Sequence, residues 1–356
     1  MKTLNILMTG VGAPGAPSII NCLRNNGERE LYIVGVDMNK YATCRTKVDN
    51  FYTIPHAEDP TFIDEILNIC ENENIDIVLS IVTRELEILA VEKERFENLG
   101  VKLLVMDYEP LHIANNKGLL LNAMKEAGIR TPSFRIVNTP KELEIASYEL
   151  DYPNKPVVIK PTYGNGSRGT RILDESQSLY DRFFKEKPNS MYSTLEDVMN
   201  IFNEKNTIPE MMVMEYLPGA DLSVDILANK GEVLYVSCRR GNVVSSIMVN
   251  SIVDLNYDAI ELCKQVTKVL KLDGNMGFDT KEDVNGIPQL MEINPRLPAG
   301  VVASVGAGIN FPYLGIKRAL GEKLSECTVK EGVSMQLRNE EILYNPDGTE
   351  MLWNRK

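Results

Sequence analysis

Cysteine pairs, long apolar runs and basic residues are what this chain lacks. Its six cysteines, Cys22, Cys44, Cys70, Cys238, Cys263 and Cys327, are scattered without a C-x-x-C pair. That spacing offers neither a structural zinc site nor a redox couple, and it implies reduced thiols. No apolar run is long enough to span a bilayer. The opening Met1-Lys2-Thr3-Leu4-Asn5 leads into a short apolar stretch without the pattern of a signal peptide, so a cytoplasmic location is expected. Lys plus Arg total 38 against 50 Asp plus Glu, a net charge of −12. Such a surface argues against nucleic acid or anionic membrane as the main partner, yet local amides, lysines or a cation can still hold a small phosphorylated ligand. Internal repeats and low-complexity segments are absent as well. The two histidines, His56 and His112, lie in or next to the first third and read as structural or surface residues.

What is present is ordinary for a globular protein: 356 residues, 44% hydrophobic and 25% charged, enough for two or three domains. In the first third, Leu4 to Met8, Leu31 to Val36, Ile75 to Ile81 and Val101 to Met106 read as strands. They alternate with amphipathic segments such as Pro60 to Asn72, the signature of a parallel sheet with crossover helices. The charged stretch Glu92 to Glu97 reads as a solvated helix face. A helix from about Asn115 to Ala127 is stopped by Gly128 and Pro132. Beyond Pro132 the pattern becomes α+β, with a helical insert around Ser176 to Phe202 and strands from Met211, Asp221 and Gly231. A helix from Tyr257 to Leu270, a hairpin from Gly274 to Asn294 and a helix near Phe311 to Leu320 follow. The expected domains are 1–112, 113–330 with a lid subdomain at about 131–217, and a tail at 331–356 packed on or extending the second.

Gly10-Val11-Gly12-Ala13-Pro14-Gly15 follows the first strand, with Asp37 at the end of the second. Formally this is a dinucleotide fingerprint and would suit an NAD(P)-dependent oxidoreductase. The alternative is a tight strand-to-helix turn that binds no nucleotide, and Pro14 and Pro17 remove amide donors that a phosphate would use.

A second cluster, Gly164-Asn165-Gly166-Ser167-Arg168-Gly169, follows the strand Pro156 to Pro161, which carries Lys160 near its end. A glycine-rich turn between strands can lie flat over a triphosphate and offer it backbone N–H groups, while Lys160 supplies a point charge. The bland alternative is a surface hairpin with solvated Lys160 and Arg168. Lys117 is a second cation that could reach a nucleotide, or a surface lysine. The strand Met211 to Leu217 stops at Pro218-Gly219, which frees backbone groups to read an adenine edge. Glu215 or Asp221 could accept ribose hydroxyls.

Asn285-Gly286 is a strong signal for a two-residue hairpin turn. That register sets Asp279 opposite Glu292 and, by strand alternation, Asn294 on the same face. Opposed carboxylates are unfavourable unless a cation joins them, and magnesium suits a set of oxygen ligands completed by water and phosphate. Glu282 and Asp283 read as an exposed acidic face. Arg296 could stabilise charge on a transferring phosphoryl group or pair with the same carboxylates. Arg239 and Arg240 are further candidates for anion contacts, with a surface ion pair as the alternative.

Taken together, Lys160, the glycine turn, Glu215-Tyr216-Leu217-Pro218-Gly219 and Met291-Glu292-Ile293-Asn294-Pro295-Arg296 resemble the ATP-grasp superfamily, in particular single-copy relatives of the carbamoyl-phosphate synthase large subunit. The stretch Ala303 to Gly321 is similar to the closing segment of that family. The resemblance implies a Rossmann-like α/β domain followed by an α+β ATP-grasp domain. It implies Lys117 and Lys160 on ATP phosphates and Gly164, Gly166, Ser167, Arg168 and Gly169 as a lid. Glu215, Tyr216, Leu217 and Asp221 would lie near the adenosine. Asp279, Glu292 and Asn294 would hold magnesium, or manganese in its place, with Arg296 at the reacting phosphate. The implied reaction activates a carboxylate as an acyl phosphate for attack by an amine, in an enzyme with small-molecule substrates that forms a homodimer. After Asn294-Pro295-Arg296 the chain departs from the synthase pattern, with Leu297-Pro298-Ala299-Gly300, and it carries no second tandem ligase unit. Carbamoyl phosphate synthesis by this chain alone is therefore not implied. A catalytically degenerate ATP-binding module is the other reading.

Overall fold

The computed structural model describes residues 3–164, 166–186, 190–205, 208–244, 247–338 and 340–351. In chain order the first strands are β1 (Leu4–Thr9), β2 (Leu31–Asp37), β3 (Asn50–Thr53), β4 (Ile77–Ser80) and β5 (Lys102–Leu103). The next are β6 (Phe134–Val137), β7 (Val157–Pro161), β8 (Arg171–Leu173), β9 (Tyr192–Ser193) and β10 (Met211–Glu215). The last are β11 (Asp221–Asn229), β12 (Glu232–Val244), β13 (Ile247–Val253), β14 (Gly274–Glu282), β15 (Pro288–Asn294) and β16 (Ser334–Gln336). The chain divides into two compact units, one of residues 1–112, 223–278 and 293–356, the other of 113–222 and 279–292.

In the first unit, β1 to β5 form a parallel sheet of order β3-β2-β1-β4-β5. This is the α/β arrangement that the alternating pattern predicts. The central strands β1, β2 and β4 are mostly apolar because crossover helices such as Ala16–Arg24 and Phe62–Asn72 cover them. Ile6, Met8, Ile33 and Ile77 are fully buried in a core shared with Leu297, Val301 and Phe311. β5 is shorter than the apolar run Val101 to Met106 suggests, because the chain turns away after Leu103. A second sheet has the order β15-β14-β11-β12-β13-β16, and one end of β11, one end of β14 and most of β15 fall in the other unit by sequence. Helix Lys93–Asn98 is exposed along its charged side but buries Phe96.

The second unit is built on the sheet β6-β10-β7-β8-β9, mostly antiparallel, over a core of Val157, Ile159, Leu173, Met211 and Val213. The insert predicted as helical over Ser176 to Phe202 is two helices, Leu179–Lys185 and Leu195–Phe202, separated by β9. Residues 187–189 of that insert, Asn165 of the glycine turn, and Asn339 and 352–356 of the tail lie outside the described residues. Helix Lys117–Glu126 begins where Asn116 caps it, accepting from the N–H groups of Gly118 and Leu119. No helix among the described residues is long and apolar enough to cross a membrane. Five of the six cysteines are buried and all are unbridged, and burial pushes the Cys22 thiol up to about 11 and Cys70 and Cys238 to about 12.

Candidate functional site

In the second unit, two lysines and two carboxylates converge. Lys160 ends β7 with its side chain buried, and its Nζ lies 3.4 Å from the carbonyl of Met291. Burial lowers its pKa to about 8. Glu292 and Asp279 pull it back up by charge, while Lys117 pushes it down. The Nζ of Lys117 stands 3.2 Å from Glu292 Oε2 and donates to the carbonyl of Gly164 at 2.8 Å. Its backbone N–H reaches the carbonyl of Thr162 at 2.9 Å. Gly118 belongs here for a steric reason, since a Cβ would lie 3.0 Å from Thr162 Cγ2. Lys117 is thus no free surface lysine; the helix start is set close against the strand end that carries Lys160.

Beyond Lys160 the glycine turn is exposed. Gly164, Gly166, Ser167 and Gly169 all have positive φ, at 139°, 65°, 54° and 76°. Gly169 packs so tightly that a Cβ would lie 2.9 Å from Pro161 Cγ. Arg168 is exposed within it. The turn therefore presents backbone at its tip while its base is fixed to β7.

The residues from Glu215 to Asp221 are more engaged than their sequence suggests. Glu215 Oε1 accepts from the Ser133 N–H at 2.8 Å, and Asp221 pairs with Lys281 at 2.8 Å. Tyr216 is half-buried and Leu217 buried. The Gly219 N–H donates to the carbonyl of Glu282 at 2.9 Å, and the Ala220 carbonyl accepts from the Glu282 N–H at 3.0 Å. Glu282 is therefore paired through its backbone with Gly219 and Ala220, not merely an exposed acid.

The hairpin corrects the expected turn. Asp283 N–H donates to the Ile287 carbonyl and Gly286 N–H to the Asp283 carbonyl, each at 3.0 Å. The loop is Val284-Asn285-Gly286, with Gly286 at φ 76°, a three-residue turn with a bulge in place of the two-residue one. Asp283 organises it, its carboxylate accepting from the N–H groups of Asn285 and Ile287 and from Gln289 Nε2. The closing pair is shifted by one residue, so direct opposition of Asp279 and Glu292 no longer follows from the turn. Both carboxylates nonetheless act on the Lys160 ammonium. Among the described residues no three His, Cys, Asp or Glu side chains stand together as a metal cage. Asp279 and Glu292 are the two carboxylates that the second unit brings to Lys160.

In the first unit, Arg296 is held from several sides. Its Nε donates to Thr83 Oγ1 at 3.3 Å, Nη2 to Asn294 Oδ1 and Nη1 to the Leu297 carbonyl, both at 3.1 Å. These three bonds are to neutral oxygens and fix the plane of the guanidinium. Arg240 pairs with Asp254 at 2.9 Å on the surface. Arg239 is buried against Asp225, whose Oδ2 also accepts from Ser304 Oγ at 2.6 Å. This buried trio was missed, although a lone Asp inside the apolar run Leu222 to Ala228 was a signal for it.

The first glycine cluster is filled by protein. A Cβ on Gly10 would lie 2.2 Å from Val82 Cγ2, and one on Gly15 would lie 2.9 Å from Ala299 Cα. The Asp37 carboxylate accepts from the N–H groups of Gly12 and Asn39, both at 2.8 Å. The glycines serve close packing, and the acid of the fingerprint is engaged by its own loops. An oxidoreductase built on Gly10 to Gly15 is not favoured.

Comparison with known proteins finds similarity along most of the chain. The family described as "ATP-grasp in the biosynthetic pathway with Ter operon" matches residues 207–341, and the PylC-like N-terminal domain matches residues 6–104. The chain is 22% identical over 280 residues to the arginine-specific large chain of carbamoyl phosphate synthase of Bacillus subtilis (strain 168), which covers 75% of this chain and 25% of that protein. It thus spans about a quarter of the length of the curated relative. The fold superposes on N5-carboxyaminoimidazole ribonucleotide synthetase solved with ADP, at a TM-score of 0.68 and 20% identity, covering 92% of this chain and 79% of that one. It also superposes on an L-amino acid ligase from Bacillus licheniformis, at 0.63 and 16%, covering 90% and 74%.

Proposed function

We propose that this chain, an ATP-grasp fold behind a parallel-sheet N-terminal domain, is an ATP- and magnesium-dependent ligase that joins a carboxylate to an amine. The observation that carries the reading is the convergence of Lys117, Lys160, Asp279 and Glu292 beside a glycine-rich turn. Two ammonium groups can neutralise phosphate oxygens, and the exposed turn of Gly164, Gly166, Ser167, Arg168 and Gly169 can fold over them. Glu215, Tyr216, Leu217 and Asp221 would line the adenosine. Lys160 is charged at neutral pH because its pKa of about 8 lies above it.

The γ-phosphoryl group would pass to the substrate carboxylate, giving ADP and an acyl phosphate. An amine then adds at the acyl carbon and phosphate leaves. Asp279, Glu292 and Asn294 would hold magnesium, or manganese, which when bound offsets charge on the β- and γ-phosphate oxygens. Arg296 would hold the transferring phosphoryl group, oriented by Thr83, Asn294 and Leu297. Positioning and charge neutralisation suffice for this chemistry, with no protein nucleophile. A cytoplasmic homodimer with domains at 1–112 and 113–330 and a tail at 331–356 is the setting that the same reading supports.

The test is calorimetric titration with magnesium-ATP and with NADPH, followed by ADP release across a panel of carboxylates and amines. Binding of NADPH without ATP sinks the proposal. Tight ATP binding with no ADP release from any pair leaves a degenerate module instead.

A further inference from the structure

The parallel sheet reverses its winding between β1 and β4, and open α/β sheets bind ligands in the crevice outside the strand ends at that point. Thr9 and Ser80 are the last residues of these two strands and are paired in register. Both hydroxyls donate to the same oxygen, Oε2 of Glu85, in the first turn of helix Thr83–Val91. No hydrogen bond from a described residue reaches Oε1. Glu85 is only 7% exposed, and with Oε2 taken by the two hydroxyls its second oxygen is the one left to meet a ligand.

The residues around it connect this crevice to Arg296. Thr83, at the start of the same helix, accepts from Arg296 Nε at 3.3 Å. Gly15, on the other side of the switch point, packs against Ala299, three residues past Arg296. The segment that carries the phosphate-directed arginine therefore lies against both flanks of the crevice. The charge on Asp37 also acts on Glu85, so the nearby acids disfavour a second anion and favour a cation.

We infer that this crevice seats the amine substrate, with its ammonium on Oε1 of Glu85 and Glu85 as the group that takes its proton. The inference rests on the ligase reading above. In the step, the ammonium gives one proton to the Glu85 carboxylate. The freed lone pair forms the C–N bond as the C–O bond to phosphate breaks, the phosphate keeps that electron pair, and the remaining surplus N–H proton leaves with it. Burial pushes Glu85 up to about 7, the Thr9 and Ser80 hydroxyls working against the rise and Asp37 adding to it. A carboxyl in that range exchanges protons near neutrality.

Glu85→Gln in the full chain separates this role from a structural one. Hydroxylamine is unprotonated at neutral pH and traps acyl phosphates without needing a proton acceptor. With a carboxylate that supports ADP release, hydroxylamine-driven turnover should stay within about twofold of wild type while kcat/KM for the amine falls about 100-fold, the usual worth of a proton-transfer group. That intact hydroxylamine activity also shows that the variant is folded. Equal losses with both nucleophiles, or no loss with either, overturn the assignment. Thermal midpoints with a panel of amino acids and alkylamines give an answer that needs no turnover. An amine that raises the midpoint of wild type but not of Glu85→Gln supports the site, and none doing so overturns it. Silence of the wild type with hydroxylamine and every carboxylate counts against the ligase reading instead.

Discussion

One ammonium group, that of Lys117, joins the carboxylate of Glu292, 3.2 Å away, to the carbonyl of Gly164, 2.8 Å away. The link ties the hairpin to the first residue of the glycine turn. Lys117→Met removes both charge-assisted bonds, so the turn should be cut faster in limited proteolysis. Affinity for magnesium-ATP should fall about tenfold, the scale of one hydrogen bond to a charged group. Unchanged affinity would remove Lys117 from the nucleotide site.

Lys160 makes the site sensitive to alkaline pH. Its folded pKa of about 8 lies below the ordinary 10.5, chiefly through burial. Phosphate binds the charged form, so affinity for magnesium-ATP should be flat below pH 8 and weaken above it, with proton uptake on binding. For stability the sign is opposite: the unfolded chain holds the proton more tightly, so this group adds stability as pH rises from about 8 to 10.5. Calorimetry in buffers of different ionisation enthalpy measures the uptake. Lys160→Met should abolish both pH dependences while retaining the fold.

Much of this was legible in the sequence because it depends on local chemistry. Apolar alternation marks the parallel sheet, and the lysine strand, the glycine turn and the Glu292-x-Asn294 strand end each declare themselves within a few residues. The turn at Asn285-Gly286 was misread because the two-residue and bulged turns both want a glycine with positive φ, and only the partner of Asp283 decides between them. Glu282 looked like a solvated acid because its backbone bonds to Gly219 and Ala220 are long-range. The Gly10 to Gly15 fingerprint misleads for the converse reason, since glycine that admits a pyrophosphate and glycine that admits Val82 or Ala299 are the same letter. Thr9, Ser80 and Glu85 meet only once β1 and β4 are neighbours.

Glu85 also predicts a pH dependence of stability. Its folded pKa of about 7 lies above the ordinary 4.5, so the folded state holds the proton more tightly. The stability this contributes is full below pH 4.5 and is lost as pH rises through 7. The loss is on the order of 3 kcal/mol, from the size of the shift. Glu85→Gln should flatten that part of the profile and be more stable than wild type at pH 8. Urea denaturation between pH 4.5 and 8 measures it, and parallel profiles for the two proteins would show that Glu85 is not the group responsible.

The Arg239–Asp225 pair lets structural and catalytic demands be separated. Their side chains are 3% and 1% exposed, and Arg239 Nε and Asp225 Oδ1 have no hydrogen-bond partner among the described residues. Two charges so deep gain little as a pair, but either one alone is an uncompensated buried charge. Asp225→Leu should therefore cost about 3–5 kcal/mol, and adding Arg239→Leu should recover most of it. The guanidinium also lies against Gly300, where a Cβ would sit 3.1 Å from Nε, and Asp225 holds Ser304. Both contacts follow Arg296 closely in the chain. If the pair serves only stability, the double variant should regain wild-type turnover along with its fold. If it fixes the segment that aims Arg296, stability should return while kcat stays low and KM for ATP is unchanged. The second outcome is expected, because an apolar replacement fills the volume but cannot hold Ser304 or the Gly300 backbone in place.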